Sequence, residues 1–468
     1  MLEQVAKKIV PTNLEREKMA RLSREIREEI EAIFAGAGIV GTVSEQGSFA
    51  RDTWLRGEAD LDIFTRFSPS MERREWEERI LPVIRKGLSR FRITERYAEH
   101  PFLEFHAEGV RVNVVPCYDV KKGEWQSATD RTPYHTDYMK KNMTGELRLQ
   151  ARLLKKFVKG IGAYGAEIRV GGFSGMLIDT LVIYYPSFLE VLKHASRWTP
   201  SAFLELEASE GRTRKDVENT FDADLVVIDP VDPNRNLAAA VRPVRLWNFV
   251  AAGREFLRRP GLWYFFPPKF TTNPKAHFAK RIDQSGRELI AISFKHQTMV
   301  MDVLWGQLMK LEKSLVEMMT REDFHPRRSE VWTDEKKEST ILVETDEATL
   351  PPVKTHLGPP VSKELDSQSF LDRHLSAKDT VRGPRVEKER WVVEKRRQVS
   401  TVKDLLKRSL QDQTYGLTLP KQLEEGFRRT ARVLTGREVL AMLRKDGFDK
   451  VLWEFLEAKP SWLKTSPS

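Results

Sequence analysis

The apolar positions alternate between two periods along the chain. Leu22, Ile26, Ile30, Ile33 and Phe34 recur at helical spacing, which marks one buried face. Asn13 ahead of them, with Glu15 and Glu17 in the first turns, reads as an N-cap, and Gly36 and Gly38 as the stop. The period then drops to two. Ile39–Ser44 and Ala59–Phe67 are expected as strands, Pro69–Phe91 as a charged amphipathic helix and Arg92–Tyr97 as a further strand. His100–Cys117 reads as a hairpin turning at Glu108-Gly109. Counting back from a two-residue turn pairs Ala107 with Val110, His106 with Arg111, Phe105 with Val112 and Glu104 with Asn113.

Beyond this mixed region the helical period dominates. Gly145–Ala163 places Leu147, Ala151, Leu154, Phe157 and Val158 on one side and Arg152, Lys155, Lys156 and Lys159 elsewhere. Gly172-Phe173-Ser174-Gly175 opens a strongly apolar helix, Met176–Ala195. Leu225–Ile228 is expected as a strand, followed by DPVDPNRNLAAAV, in which Asn236 is expected to cap a helix reaching Arg259. A Pro/Phe-rich loop, Pro260–Pro274, marks a boundary. After it come a strand (Leu289–Phe294), a helix (Val300–Met319), a hairpin (Glu330–Thr345), the loop LPPVKTHLGPPV, a helix near Phe370, a hairpin (Arg385–Glu394) and amphipathic helices to Leu463. The class this predicts is α+β, with a small mixed sheet covered by helices at the N-terminal end.

One stretch carries a chemical signal, GSFARDTWLRGEADLDIF from Gly47 to Phe64. On a strand, residues i and i+2 share a face, so Asp60 and Asp62 project side by side. Two carboxylates on a rigid strand below a Gly-Ser turn suit a Mg²⁺-bound triphosphate, because Mg²⁺ favours a few carboxylates plus phosphate oxygens. That is the nucleotidyltransferase pattern, and Gly47-Ser48 upstream lifts it above an ordinary D-x-D.

Composition narrows the partners. The 468 residues carry 78 Lys and Arg against 68 Asp and Glu, a net charge of +10, which favours a polyanionic partner. The length exceeds what one core usually supports. The single cysteine, Cys117, excludes an internal disulfide and a Cys-based zinc cluster, and is expected in the core. The nine histidines show no metal-ligand spacing. The N-terminus lacks an apolar signal region and no apolar run approaches about 18 residues, so a soluble protein of the reducing cytoplasm is expected, with no membrane partner. Arg321, Arg327, Arg328, Lys395, Arg396 and Arg397 are candidates to track nucleic-acid phosphates.

GSFARDTWLRGEADLDIF, VNVVPCYDV, TDRTPYHTDYM, RLLKKFVKGIGAYGAE, GGFSGML, DPVDPNRNLAAAV and HLGPPV follow one another along nearly the whole chain. In that order they resemble the archaeal-type, class I CCA-adding enzymes, the tRNA nucleotidyltransferases. The resemblance implies a polymerase-β-like nucleotidyltransferase head at 1–140, a helical neck with nucleotide and base recognition at 141–260, an α+β body at 261–400 and a helical tail at 401–468. It implies template-independent CCA addition to the tRNA 3′ end from CTP and ATP, with Mg²⁺ as cofactor; a homodimer is left open. Residue by residue, it makes Asp60 and Asp62 metal ligands and places Ser48 and Arg51 on the phosphates. Lys155, His135 and Tyr164 match nucleotide contacts, and Arg235 matches an arginine tied to base recognition.

The same resemblance puts a third carboxylate on the strand VRVNVVP, where this chain has Asn113. An amide offers a carbonyl oxygen to a cation but brings no charge and takes no proton. Glu104, opposite Asn113 in the hairpin register, is the candidate replacement, the other reading being a solvated edge residue. An impaired relative that binds tRNA and nucleotide is therefore the alternative function, and a transferase adding one nucleotide type a third.

Overall fold

The computed structural model describes residues 1–97, 99–206, 220–268, 271 and 273–463. The chain divides into two units, Met1–Lys269 with Pro460–Ser468, and Phe270–Lys459.

In the first unit a long helix, Asn13–Gly36, buries Met19, Leu22, Ile26, Ile30 and Phe34. Its cap is Thr12 rather than Asn13. The Thr12 hydroxyl accepts from the Glu15 amide at 3.2 Å, and the Glu15 carboxylate accepts from the Thr12 amide at 2.8 Å. This reciprocal box satisfies two otherwise orphaned groups, so Thr12 takes the position and Asn13 becomes the first helical residue.

The helix shares its apolar core with a five-stranded sheet. Its strands are β1 (Thr42–Gln46), β2 (Asp60–Phe67), β3 (Thr94–Tyr97), β4 (Pro101–Ala107) and β5 (Val110–Tyr118), in the order β1-β2-β5-β4-β3. β2 and β5 run parallel and the other neighbours antiparallel, so the sheet is mixed as the pattern predicts. The hairpin register matches the expected one, with Glu104 opposite Asn113 and His106 opposite Arg111. On the other side of β5, Asp62 lies beside Asn113 and Asp60 beside Arg111. The helix expected over 69–91 is shorter and broken: it begins at Arg73, widens over Trp76–Ile80, where the Leu81 amide bonds the Trp76 carbonyl, and resumes as Leu81–Gly87. Pro82, which has no amide hydrogen, sits in the first turn of the resumed helix.

Among the described residues five α-helices follow, Arg131–Asn142, Gly145–Gly160, Gly175–Tyr184, Phe188–Ala195 and Pro243–Arg258, together with a parallel pair of short strands, β6 (Ala202–Leu204) and β7 (Leu225–Val227). Their core includes Phe157, Phe173, Phe188, Phe249, Phe256 and Phe265. Two expectations change here. The apolar helix Met176–Ala195 is two helices at 91°, because Pro186 forbids a helical residue before it and Ser187 caps the second by accepting from the Glu190 amide at 3.1 Å. Asn236 caps no helix; its side-chain oxygen accepts from the Val227 and Ala238 amides, both at 2.9 Å, and its amide donates to the Leu225 carbonyl at 3.0 Å. It closes the strand-loop instead, and the next helix starts at Pro243. Among the described residues no single helix is long and apolar enough to cross a membrane.

The second unit holds β8 (Glu288–Lys295), β9 (Pro326–Thr333), β10 (Glu338–Thr345), β11 (Val353–Pro360), β12 (Thr380–Glu387), β13 (Arg390–Arg396) and β14 (Arg432–Thr435). One sheet has the order β14-β8-β10-β9 and shares its core with the helix Met301–Arg321; the other has the order β11-β13-β12, with the helix Glu364–His374 against it. The segment expected as a loop, LPPVKTHLGPPV, is in the main the edge strand β11. Its prolines fall at the ends, where a missing amide costs no ladder bond. β14 lies in a stretch expected to be helical, and four residues are too few for periodicity to reveal a strand.

Candidate active site

Asp60 and Asp62 both stand on β2, as alternation requires. Gly47, at φ +70°, opens the helical turn Gly47–Ala50 directly above Asp62: a side-chain carbon built on it would lie 2.0 Å from Asp62 Oδ2. Only a residue without one leaves that carboxylate its place. Ser48 follows in the same turn, half-buried. Burial raises the Asp62 carboxyl above its ordinary value; the Asn113 hydrogen bond opposes this, and the charge of Asp60 adds to it. Asn113 Nδ2 donates to Asp62 Oδ1 at 2.9 Å. Asp60 is gripped by Arg111, whose Nε donates to Oδ1 at 3.1 Å while Nη2 donates to Oδ2.

Glu104 occupies the expected register position beside Asn113, but its carboxylate accepts from Arg96 Nε at 3.0 Å and Nη2 at 2.8 Å. Among the described residues no three His, Cys, Asp or Glu side chains are grouped to hold a metal ion. The donor set that remains, two carboxylates two residues apart on one strand with space kept open by Gly47, suits one Mg²⁺ whose other ligands are phosphate oxygens and water.

A cationic cluster is coupled electrostatically to these carboxylates. Arg51 is 8% exposed and donates from Nε to Asp179 Oδ2 at 2.9 Å; the Thr53 hydroxyl donates to the same oxygen at 3.2 Å. Asp179 is fully buried on the helix Gly175–Tyr184. Lys155, on the helix Gly145–Gly160, is also buried and donates to the Thr53 carbonyl at 2.8 Å. Burial brings its ammonium down to about 8, against the attraction of Asp179. Tyr164 is pushed up by its burial and by the charge of Asp179. These groups converge on one point: a carbon built on Gly175 would lie 3.3 Å from Tyr164 Oη, 3.7 Å from Arg51 Nη2 and 4.0 Å from Lys155 Nζ. The segment behind Arg51 is fixed by Arg152, which donates to the Trp54 carbonyl at 2.9 Å and the Asp52 carbonyl at 2.6 Å.

His135 and Arg235, far apart in sequence, meet through a third residue. His135 Nε2 donates to the Asp229 carboxylate at 2.8 Å, and Arg235 Nη1 donates to it at 3.2 Å. Burial alone would raise Asp229, but the hydrogen bond and charge of His135, the Val231 amide and Arg235 hold it below its ordinary value. Arg235 stays 45% exposed in its side chain, so its fork is available beyond Asp229. It lines an open pocket with Ala166, Ser174, Phe221, Asn234 and Leu237.

Sequence reasoning passed over Asp179, Asp229 and Arg111. Asp229 opens the quoted DPVDPNRN block, and Arg111 sits opposite His106 in the predicted register, so both were visible as residues. Nothing local marks Asp179, a lone carboxylate in an apolar helix, apart from its being out of place there. Cys117 is buried, and burial pushes its thiol up, as a core residue requires.

Three family models match in succession: a nucleotidyltransferase domain over residues 23–135, the second domain of tRNA nucleotidyltransferase over 150–266, and the C-terminal domain of CCA-adding enzymes over 285–436. The CCA-adding enzyme of Methanosarcina barkeri is 33% identical over 90% of this chain and 92% of its own length. That of Pyrobaculum neutrophilum is 36% identical over 88% and 93%, and that of Haloarcula marismortui 32% identical over 96% of each. A solved structure of the Cid1 poly(U) polymerase aligns at TM-score 0.45 with 13% identity, over 55% of this chain and 94% of that one. The α+β chain carries a nucleotidyltransferase domain over residues 23–135, and at 32–36% identity across 88–96% of its length it belongs to the family of CCA-adding enzymes.

Proposed function

We propose that this chain builds and repairs the 3′-terminal CCA of tRNA from CTP and ATP, without a nucleic-acid template. The observation that carries the reading is that Asp60 and Asp62 lie within electrostatic reach of Arg51 and Tyr164, which converge with Lys155 around Gly175, in a chain that aligns with CCA-adding enzymes over most of its length. Asp60 and Asp62 would hold a Mg²⁺ ion, which supplies charge neutralisation to the phosphate oxygens. Arg51 and Ser48 meet the triphosphate, Arg51 with its guanidinium aimed by Asp179. Lys155 adds a point charge beneath them. The tRNA 3′-hydroxyl oxygen attacks the α-phosphorus, and the bond to the bridging oxygen breaks with its electron pair leaving on pyrophosphate. Asn113 can take no proton, so the hydroxyl proton leaves to water. Arg235, steadied by Asp229 and His135, reads the hydrogen-bonding edge of C or A. We assign residues 1–140 to the head, 141–260 to the neck, 261–400 to the body and 401–468 to the tail.

Purified chain incubated with Mg²⁺, tRNA lacking CCA, and separately labelled CTP and ATP tests this. Ordered addition of C, C and A is the expected result. Binding of tRNA and nucleotide without incorporation would replace the reading with the impaired relative that Asn113 first suggested, and addition of one nucleotide type would replace it with a simpler transferase.

A further inference from the structure

β5 presents two side chains to the carboxylate pair of β2, and neither is an anion. Arg111 lies beside Asp60 and Asn113 beside Asp62. Both oxygens of Asp60 accept from Arg111, Oδ1 from Nε at 3.1 Å and Oδ2 from Nη2. One oxygen of Asp62 accepts from the Asn113 amide at 2.9 Å. The next carboxylate along the sheet, Glu104, is paired with Arg96 at 2.8 Å. Two divalent ions would bring four positive charges to two carboxylates, one of which already holds a guanidinium. Each ion prefers anionic oxygen donors, and what β5 supplies in that place is a permanent cation and an amide N–H.

We propose that the site takes a single divalent ion, entering with the nucleotide triphosphate, and that the Arg111 guanidinium fills the second cation position against Asp60. This rests on the nucleotidyl-transfer reading above. A guanidinium is suited to the place: its planar fork matches a carboxylate through two parallel hydrogen bonds, and it stays charged at every working pH. Asp62, backed by Gly47 and with Oδ2 outside the Asn113 hydrogen bond, is the carboxylate left for the incoming ion, with Asp60 sharing it from its side of the Arg111 pair. The acid that would hold a separate second ion is missing at Asn113, and the cation that takes that ion's place stands two residues earlier on the same strand. Arg111 acts here as a positioning residue.

The test counts ions instead of turnover. Mn²⁺ is titrated by electron paramagnetic resonance into the full chain saturated with α,β-methylene CTP, a non-reacting analogue. Wild type is expected to bind one Mn²⁺ per chain, and the double variant Arg111→Val, Asn113→Asp two. Two ions in wild type, or one in the folded double variant, overturns the proposal; should the double variant not fold, the wild-type count decides alone. The incorporation assay run beside it separates the two claims. Two bound ions with CCA incorporation overturns the one-ion site and leaves the function standing, whereas no analogue binding and no incorporation overturns both.

Discussion

At Lys155 the ammonium is enclosed, hydrogen-bonded to the Thr53 carbonyl at 2.8 Å, and burial brings its pKa from 10.5 to about 8. The folded chain therefore holds fewer protons at this group than the unfolded chain between those values. The stability it contributes is full above pH 10.5 and lost as pH falls through about 8. In the proposed site a bound triphosphate would reverse the preference, since its negative charge favours the ammonium. At pH 9, CTP binding should take up about one proton per chain. Calorimetry in two buffers of different ionisation enthalpy measures this, and Lys155→Met should abolish it; equal uptake in both proteins would remove Lys155 from the phosphate site. In the sequence Lys155 is one of several lysines on an amphipathic helix. Its enclosure is set by residues about a hundred positions away, which no local pattern conveys.

The elements around the site are joined by two glycines with different constraints. Gly47 has a positive φ, and a carbon there would collide with Asp62, so any side chain is excluded on both counts. Gly175 begins a helix without a positive φ, and the nearest atoms its carbon would meet are the ends of Tyr164, Arg51 and Lys155, at 3.3 to 4.0 Å. Alanine is the better helix former at such a position. Gly175→Ala should therefore leave the melting temperature unchanged or slightly raised while crowding the cradle. A crowding cost of about 1–3 kcal/mol on the bound triphosphate corresponds to roughly 5- to 150-fold in CTP affinity. Equilibrium binding and thermal melting on the same preparation check it, and unaltered affinity would mean that the triphosphate lies elsewhere. The hairpin register, including Glu104 opposite Asn113, was readable because a two-residue turn fixes every pair behind it. The break at Pro186 was equally present in the sequence, but the apolar run on both sides masks it.

For the whole molecule, the net charge of +10 implies a salt-dependent hold on tRNA, though not through every basic side chain. Arg327 pairs with Asp346, Arg328 with Glu344 at 2.8 Å, Lys395 with Asp379 at 2.9 Å and Arg397 with Asp323 at 2.6 Å. Arg321 donates to the Gly416 carbonyl at 2.7 Å. Arg396 is exposed on β13. Of the six basic residues singled out from the sequence, it is the best candidate for a phosphate. Affinity for tRNA should fall steeply with salt, and Arg396→Ala should reduce the log–log slope by about 1. An unchanged slope would place the phosphate contacts on other residues. A count of Lys and Arg cannot make this distinction, because acidic partners are assigned only when the strands come together.

The sequence by itself determined the family, the mixed N-terminal sheet, the Asp60–Asp62 pair on one strand face and the absence of a carboxylate at Asn113. The family follows from seven blocks in order along the chain, and the strand face and the Asn113 position from residue type at short spacing, where chain geometry leaves little choice. Tertiary structure decided which long-range partners those residues meet. It turned Glu104 to Arg96, closed Arg111 over Asp60, buried Asp179 behind Arg51 and joined His135 to Arg235 through Asp229. A buried charge must find a partner or be neutralised, a carboxylate by taking up a proton and an ammonium by losing one, and the fold alone settles which partner is within reach.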